Sequence, residues 1–284
     1  MKILSIALCA LLLCTSCASG SAQTAPSPTP EGTQVRADPT LRVYVVDEKA
    51  VREMDMETYV EGVLAGEMKN DWPMEALKAQ AYDASAVNDR IRQAVSETRG
   101  LVLKSGGALP YAWFHAHSGG QTDLATGGLG WDKAEPAYTH SVSGMEPSSA
   151  DDQQALRDAR NWACSFPLEE VESALAKLGK PITLTDSTRV AIGEKGESGR
   201  AQTLIFGDES VSAGDLRIAL GSTKMRSTLL NTLSLQNSQL HMSGRGYGHG
   251  VGMSQWGAYG MAQQGKTAVE IVRHYFRGVT VERY

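Results

Sequence analysis

Glycine recurs at every second position from Gly244 to Gly252, and this alternation constrains the fold of the 284-residue chain more than any other feature. In an extended strand, alternate side chains point to opposite faces, so these glycines would leave one face bare. The opposite face would carry Arg245, Tyr247, His249 and Val251. A bare face beside an aromatic ring and polar side chains suits a flat polar ligand such as a sugar. Close packing against another backbone, or a flexible loop, would use the same glycines.

The rest of residues 41–284 mixes two periodicities, which predicts one α+β domain with a helix pair packed on short, mainly antiparallel strands. Helical spacing predicts helices over 54–68, from Asp71 onward with its apolar side reaching Ile91, over Phe166–Leu178 and from Thr267 to Gly278. The last of these opens with the capping box Thr267–Glu270. Strand patterns are predicted over 41–46, 101–103, 111–117, within 182–220 and within 228–243.

Glu67 is the first candidate for chemistry, because it continues the apolar face of the predicted helix 54–68. Val60, Val63 and Leu64 precede it with the i, i+3, i+4 spacing, and Glu67 stands at i+7. Desolvation on such a face disfavours the charged carboxylate and raises its pKa. A carboxylic acid that keeps its proton near neutral pH can protonate a glycosidic leaving oxygen. A frayed last turn that exposes Glu67, or a paired core carboxylate, would give the same pattern.

A second candidate is the segment that follows the two alternating histidines His115 and His117. On a strand both imidazoles face the same way, but a metal site needs three or four ligands, so ordinary hydrogen bonds are favoured over a metal. The turn after them is rich in donors and acceptors, and its glycines allow a ligand to approach closely. The candidate ligand-contacting residues here are His117, Ser118, Gly119, Gly120, Gln121 and Thr122.

Residues 1–17 have the pattern of a bacterial signal peptide, with a positive start and about 12 apolar residues, fewer than the ~20 of a spanning helix. Small residues before Cys17 resemble a lipobox, although Cys14 stands where Leu is usual. Lipidation of Cys17 would hold the protein at the outer face of the cytoplasmic membrane, and ordinary cleavage slightly later would release it as a freely secreted protein. Residues 18–40 are rich in Ser, Thr and Pro and predict a flexible tether.

Composition and missing motifs exclude several classes of function. The net charge is −5 without a basic run, which argues against nucleic acid as a partner. Cys164 is the only cysteine beyond the leader, so the body has no internal disulfide and no cysteine pair for zinc or redox chemistry. The G-x-G-x-x-G, Walker A, H-E-x-x-H and G-x-S-x-G patterns are absent, which leaves nucleotide enzymes, zincins and serine hydrolases without support.

In their order along the chain, these segments resemble the SpoIID/LytB family of bacterial cell-wall proteins. The matching segments are Tyr59–Met68, Trp72–Ala81, His117–Thr122, Gly246–Ala258 and Ala262–Tyr275. The resemblance covers most of the body of the chain.

The resemblance implies a peptidoglycan lytic transglycosylase domain over 41–284 in which the first two helices form the catalytic pair. Such an enzyme cleaves the bond between N-acetylmuramic acid and N-acetylglucosamine and leaves a 1,6-anhydro end. The family's catalytic acid corresponds to Glu67, and the substrate is glycan already stripped of stem peptides, often in sporulation septa. The glycine-rich match adds Gln255 to the substrate-contacting candidates. Some relatives bind zinc through Cys and His near the S-G-G segment, but no Cys lies there, so neither a metal nor another cofactor is expected.

One departure from the family pattern keeps other functions open. The family usually continues in the manner of V-A-A-R-T-Y after the second signature, whereas Ser85 and Val87 occupy the Arg and Tyr positions here. This favours a non-catalytic protein that grips glycan and enhances a cell-wall amidase. A muramidase that uses water is a third possibility and needs a second carboxylate, for which Asp71 and Glu75 are close in sequence.

Overall fold

A computed structural model describes residues 39–45, 48–68, 71–80, 89–148 and 154–283. Within them the helices are α1 (Met56–Glu67), α2 (Met74–Gln80), α3 (Asp89–Thr98), α4 (Ala125–Gly128), α5 (Gln154–Arg160), α6 (Leu168–Lys177), α7 (Ala213–Ala219), α8 (Gln255–Gln263) and α9 (Ala268–Tyr275). The strands are β1 (Thr40–Val45), β2 (Ala50–Asp55), β3 (Leu101–Lys104), β4 (Phe114–His115), β5 (Asn161–Pro167), β6 (Val190–Ile192), β7 (Thr203–Phe206), β8 (Glu209–Ser212), β9 (Leu230–Gln236), β10 (Gln239–Arg245), β11 (Met253–Ser254) and β12 (Thr280–Arg283).

The leader, the lipobox Cys17 and most of the tether lie outside the described residues. The body, Asp38–Tyr284, forms one compact unit. In the part of the chain that the structure describes, every helix is too short or too polar to cross a bilayer.

The strands form small sheets, and the predicted α+β class is confirmed. Antiparallel pairing joins β1 to β2, β12 to β3, β5 to β10 to β9, and β6 to β7 to β8. The pair β4–β11 is parallel, with Phe114 opposite Met253 and His115 opposite Ser254. This short pair joins the histidine segment to the glycine-rich segment.

A first core surrounds the predicted helix pair, α1 and α2. The indole of Trp72 contacts the rings of Trp256 and Tyr259, at centroid distances of 4.5 and 5.1 Å, and those two rings contact each other at 5.4 Å. Leu64 and Leu77 are fully buried in the same core. The pair therefore packs chiefly against the helices α3, α8 and α9 rather than on strands as predicted, because the apolar faces of α8 and α9 complete its core.

A second core lies among the sheets β5–β10–β9 and β6–β7–β8 and the helices α6 and α7, with Phe166, Leu204, Leu216 and Leu240 fully buried. The predicted helix Phe166–Leu178 is wrong at its start, since Phe166 and Pro167 belong to β5 and α6 begins at Leu168. Phe166 pairs with Leu240, so tertiary pairing outweighs the local helical spacing.

Two other boundaries differ from prediction. The predicted strand 111–117 is reduced to Phe114–His115, and the predicted strand region 182–220 ends in the helix α7. Ser212 caps α7 by accepting the N–H of Asp215 at 3.2 Å.

In the helix predicted from Asp71 to Ile91, the structure describes α2 and the start of α3. Residues 81–88, with Ser85 and Val87, lie outside the described residues.

The capping box at Thr267 is confirmed. The Thr267 hydroxyl accepts the N–H of Glu270, and the Glu270 carboxylate accepts the N–H of Thr267. The helix α9 ends at Tyr275, three residues before the predicted stop at Gly278, because Phe276 adopts an extended conformation.

We expect Thr267→Ala to lower the free energy of unfolding by about 1 kcal/mol, because the N-cap acceptor is lost. Thr267→Ser keeps the hydroxyl and is the matched control. Urea denaturation followed by circular dichroism measures both, and equal stability of the two variants would contradict a capping role.

Candidate functional site

Glu67 is the last residue of α1, and its side chain is exposed. The spacing predicts that Glu67 continues the buried face formed by Val63 and Leu64, but the helix ends at Glu67, so the outcome is closer to the alternative of an exposed last turn. Asp55 caps the start of the helix, since its carboxylate accepts the N–H of Thr58 at 2.9 Å. The helix ends where the N–H of Met68 donates to the carbonyl of Leu64 at 3.0 Å. Because Leu64 and Met68 are buried, the helix end is fixed to the core while Glu67 stays open to a ligand.

The surroundings of Glu67 favour its protonated form. Desolvation by neighbouring protein atoms raises the pKa of Glu67, and a hydrogen bond from the Gln255 side chain offsets part of that rise. Gln255 is buried at the start of α8, and its Nε2 donates to the Glu67 carbonyl oxygen at 3.4 Å. Gln255, a candidate sugar contact by sequence, therefore lies against the candidate acid.

The segment 117–122 forms a turn in which only part of the predicted set reaches the surface. His117, Ser118 and Thr122 are buried, whereas Gly120 and Gln121 are exposed. The buried members shape the turn: His117 Nδ1 accepts the N–H of Gly119 at 2.9 Å, and Ser118 Oγ accepts the N–H of Gly120 at 3.0 Å. A ligand can therefore meet the turn through Gly119, Gly120 and Gln121.

Thr122 holds the far end of this turn. Its Oγ1 accepts the N–H of Val142 at 2.9 Å and donates to the carbonyl of His140 at 3.2 Å. The exposed Gln121 amide donates to Ser141 Oγ at 2.9 Å. These contacts dock the turn on the segment 140–146.

Glu146 is a buried carboxylate that sequence reasoning missed. Its Oε1 accepts the N–H of Ser118 at 2.6 Å and the hydroxyl of Ser254 at 2.7 Å, and lies 3.6 Å from His117 Nδ1. Burial would raise the pKa of Glu146, but the neighbouring His117 and the two hydrogen bonds outweigh it and lower that pKa. Burial, together with the positive charges of Arg160 and Arg200, lowers the pKa of His117, although the negative charge of Glu146 acts in the opposite direction. The result is an ionised Glu146 beside a neutral His117.

Arg200 lies fully buried beneath the same turn, and nothing in the sequence singles it out. Its guanidinium donates to the carbonyl of Ser118 at 2.5 Å and to that of Gln121 at 3.1 Å. Burial lowers the pKa of Arg200 to about 10, although Asp123 and Glu146 act in the opposite direction. Arg200 therefore stays charged at neutral pH and holds two turn carbonyls that would otherwise lack donors.

The glycine-rich run corrects the first sequence prediction. Gly246, Gly248, Gly250 and Gly252 all have positive φ, so the run is an irregular loop rather than a strand with one bare face. A Cβ on Gly246 would lie 2.8 Å from the carbonyl oxygen of His117, and one on Gly250 would lie 2.3 Å from the Arg200 guanidinium. The glycines pack against this protein's own turn and arginine, which is the close-packing alternative.

The other side chains of the run differ in their exposure to solvent. Arg245 is exposed, and Tyr247 is half-buried with the Arg226 guanidinium 5.5 Å from its ring centroid. Burial, followed by the charges of Arg217 and Arg200, lowers the pKa of His249 to about 3, and its Nδ1 accepts the N–H of Val251 at 3.0 Å. A neutral His249 supports the loop.

A polar cleft of about 520 Å³ opens beside the exposed part of the turn. Its lining includes Gly120, Ser143, Glu146, Gly260 and Gln263. The lining combines serine hydroxyls, glutamine amides and the Glu146 carboxylate with Met145 and Pro147, and its polar groups are of the kind that pair with the hydroxyl and amide groups of an amino sugar.

The alternative carboxylate Glu75 has a structural role. Its Oε1 accepts from Lys78 Nζ at 2.7 Å, and its Oε2 accepts the N–H of Ala268 at 2.7 Å, so Glu75 ties α2 to the first turn of α9. Asp71 is exposed. Among the residues that the structure describes, no group of three or more His, Cys, Asp or Glu side chains is placed to hold a metal ion.

Arg200→Met should lower the free energy of unfolding by about 3 kcal/mol or more, because it leaves two buried carbonyls and nearby acidic groups without their cation. The control Arg189→Met removes an exposed arginine and should change stability by less than about 0.5 kcal/mol. Thermal or urea denaturation measures the difference. Indistinguishable midpoints would contradict the supporting role of Arg200.

Comparison with known proteins adds family information to this geometry. The SpoIID model, "Stage II sporulation protein", matches residues 44–85, which include Glu67. A second model, "Domain of unknown function (DUF8618)", matches residues 141–252, which include Glu146, Arg200 and the glycine loop.

Three relatives extend the match over most of the chain. An uncharacterized protein of Brachyspira hyodysenteriae is 30% identical over 82% of this chain and 68% of its own. Stage II sporulation protein D of Bacillus amyloliquefaciens is 28% identical over 86% and 81%, respectively. The amidase enhancer of Bacillus subtilis is 26% identical over 79% of this chain, which spans 40% of that protein. The chain belongs to the SpoIID/LytB family of bacterial cell-wall proteins.

Proposed function

We propose that this protein is a lytic transglycosylase that cleaves peptidoglycan glycan strands between N-acetylmuramic acid and N-acetylglucosamine. The observation that carries the proposal is Glu67, an exposed carboxyl with a raised pKa at the fixed end of a core helix. Such a group is protonated over a wider pH range than an ordinary glutamate and remains accessible to a large polymer.

The reaction needs one carboxyl group. Protonated Glu67 donates its proton to the glycosidic oxygen as the bond from that oxygen to muramic C1 breaks, and positive charge develops at C1. The C6 hydroxyl of the same muramic residue attacks C1, and the Glu67 carboxylate accepts the hydroxyl proton. The products are a free N-acetylglucosamine hydroxyl and a 1,6-anhydro end, and Glu67 regains its proton. Because the nucleophile belongs to the substrate, no second carboxylate is required, unlike in most glycosidases.

Substrate binding in this proposal uses the surface groups near the turn. Gly120 lines the polar cleft, its neighbours Gly119 and Gln121 offer backbone and amide groups beside it, and Arg245 adds an exposed cation. The buried His117 and Thr122 hold the turn in shape. The substrate is glycan freed of its stem peptides, as the family resemblance suggests.

The location of the protein follows from its leader. In this proposal Cys17 carries a lipid, and the tether lets the domain reach the glycan layer outside the cytoplasmic membrane. Secretion without a lipid places the same domain in the wall.

A second candidate function is enhancement of a cell-wall amidase without cleavage of glycan. The relative named amidase enhancer and the departures at Ser85 and Val87 favour it. In that case the protein binds glycan and leaves no anhydro ends.

Glu67→Gln should abolish catalysis, with at least a 10²-fold loss of anhydro products from denuded glycan strands, because the amide cannot supply the proton. Glu61→Gln changes another glutamate of α1 and is the matched control, with activity unchanged. Mass spectrometry of the digests shows whether the new glycan ends are 1,6-anhydro ends or reducing ends.

Equal anhydro yield from Glu67→Gln, or reducing ends from the unmodified protein, would refute the transglycosylase proposal. Amidase stimulation that survives Glu67→Gln, with no anhydro ends from either protein, would favour the second candidate.

Gln255→Met should shift the alkaline limb of the pH–activity profile to higher pH. The Gln255 hydrogen bond lowers the pKa of Glu67, so its removal raises that pKa further. Activity requires the protonated acid and declines as pH rises through the pKa of Glu67, so the decline begins at a higher pH in the variant. Initial rates measured from pH 5 to 9 test the shift, and a shift to lower pH would contradict the assignment of Glu67 as the acid.

A further inference from the structure

Tyr111, Trp113, Trp131 and Tyr138 form an aromatic cluster at the surface. The rings of Tyr111 and Trp113 stack with centroids 5.2 Å apart and planes 13° apart. Trp131 meets both edge-on, at 5.4 and 5.1 Å, and Tyr138 lies 6.4 Å from Trp113. Tyr111 is 48% exposed, so the stack ends in a ring that solvent reaches.

Core packing does not account for this cluster. In the two cores of the described residues, Tyr138 packs against the first, whereas Tyr111, Trp113 and Trp131 belong to neither. The nearby Leu109 is 71% exposed. Large apolar side chains gathered at a surface, rather than scattered singly, mark a binding site.

The rings are held in place before any ligand arrives. The N–H of Tyr111 donates to the hydroxyl of Tyr138 at 2.9 Å, and the indole N–H of Trp131 donates to the carbonyl of Ala134 at 3.3 Å. The Lys133 ammonium lies 5.2 Å from the Trp131 ring centroid. Rigid rings lose little conformational freedom on binding, and the flat C–H faces of pyranose sugars pack well on such rings.

The aromatic cluster connects to Glu67 through the pair β4–β11. Trp113 directly precedes β4, and its carbonyl accepts the N–H of Met253 at 2.9 Å. Gln255, which contacts Glu67, directly follows β11. In the register of this parallel pair, Trp113 and Gln255 stand three residue positions apart, a separation of roughly 10 Å along the strands.

A second path runs along α1. An apolar cleft of about 250 Å³ is lined by Leu109 and Ala112, from the segment that carries Tyr111 and Trp113, together with Met56 and Val60 of α1. Val60 and Glu67 stand seven residues apart on the same helix face, about 10 Å along the axis. Both paths lead from the cluster to Glu67 within the length of a few sugar units.

We propose that the aromatic cluster is a distal subsite that binds the glycan strand several sugars away from the bond at Glu67. The inference rests on the proposed function for its ligand class. Glycan is the favoured occupant because both paths from the cluster end at the residue proposed to act on glycan. A strand long enough to touch both places would bind more tightly than a short saccharide, since the second contact is intramolecular.

The test measures binding in a Glu67→Gln background, so that strands are not cut. Tyr111→Ala removes the exposed ring, and Tyr44→Ala removes a tyrosine on β1 that is 58% exposed and outside the cluster. The ligands are long denuded glycan strands and a single disaccharide unit. We expect Tyr111→Ala to weaken binding of the long strands at least about fivefold, with disaccharide binding unchanged and Tyr44→Ala equal to the parent.

Unchanged affinity of Tyr111→Ala for long strands would overturn the proposal. Loss of amidase stimulation with glycan binding retained would also overturn it and would assign the surface to a protein partner. The transglycosylase proposal is tested separately, and it fails when the protein with Glu67 intact produces no anhydro ends. Because binding does not depend on cleavage, the results for the two proposals are distinguishable.

Discussion

The buried charge of Arg200 beneath the 117–122 turn is the interaction on which the site depends. Arg200 comes from the loop between β6 and β7, yet it donates to the carbonyls of Ser118 and Gln121 far away in sequence. Gly250 leaves room for the guanidinium, which any side chain at that position would obstruct. Desolvation of a cation is costly, and its hydrogen bonds to the turn offset that cost only when the turn is in place. The buried guanidinium is therefore stabilised only when both the turn and the glycine loop are in place.

From this turn a chain of contacts leads to Glu67. Glu146 accepts from the backbone of Ser118 and from the hydroxyl of Ser254. Ser254 also caps α8 by accepting the N–H of Gly257 at 3.2 Å. Gln255, the next residue, donates to Glu67. Glu146, which also lines the polar cleft, thus links the candidate binding turn to the candidate acid, and it does so through a helix N-terminus.

Several elements were predictable because their signals are local. The capping box at Thr267 is read from four consecutive residues, and α1 follows from the spacing of its apolar residues. The start of α6 was not predictable in the same way, because Phe166 is drawn into β5 by pairing with Leu240. Glu146 and Arg200 escaped notice for a related reason: each is a single charged residue in an unremarkable segment, and only its burial reveals its role.

The sequence alone determined the α+β class, the position of Glu67 at the end of an amphipathic helix and the resemblance to the family, since each depends on neighbours in the chain. For the glycine run it left three interpretations open: a bare face for a sugar, close packing against another backbone, or a flexible loop. The tertiary structure decided which groups lie against these glycines: His117 and Arg200 cover glycines that could have faced a sugar. It also decided which candidates are accessible, leaving Gly120, Gln121 and Arg245 at the surface and burying Gln255 against Glu67. Contacts between distant segments set burial and desolvation, and residue order does not encode them locally.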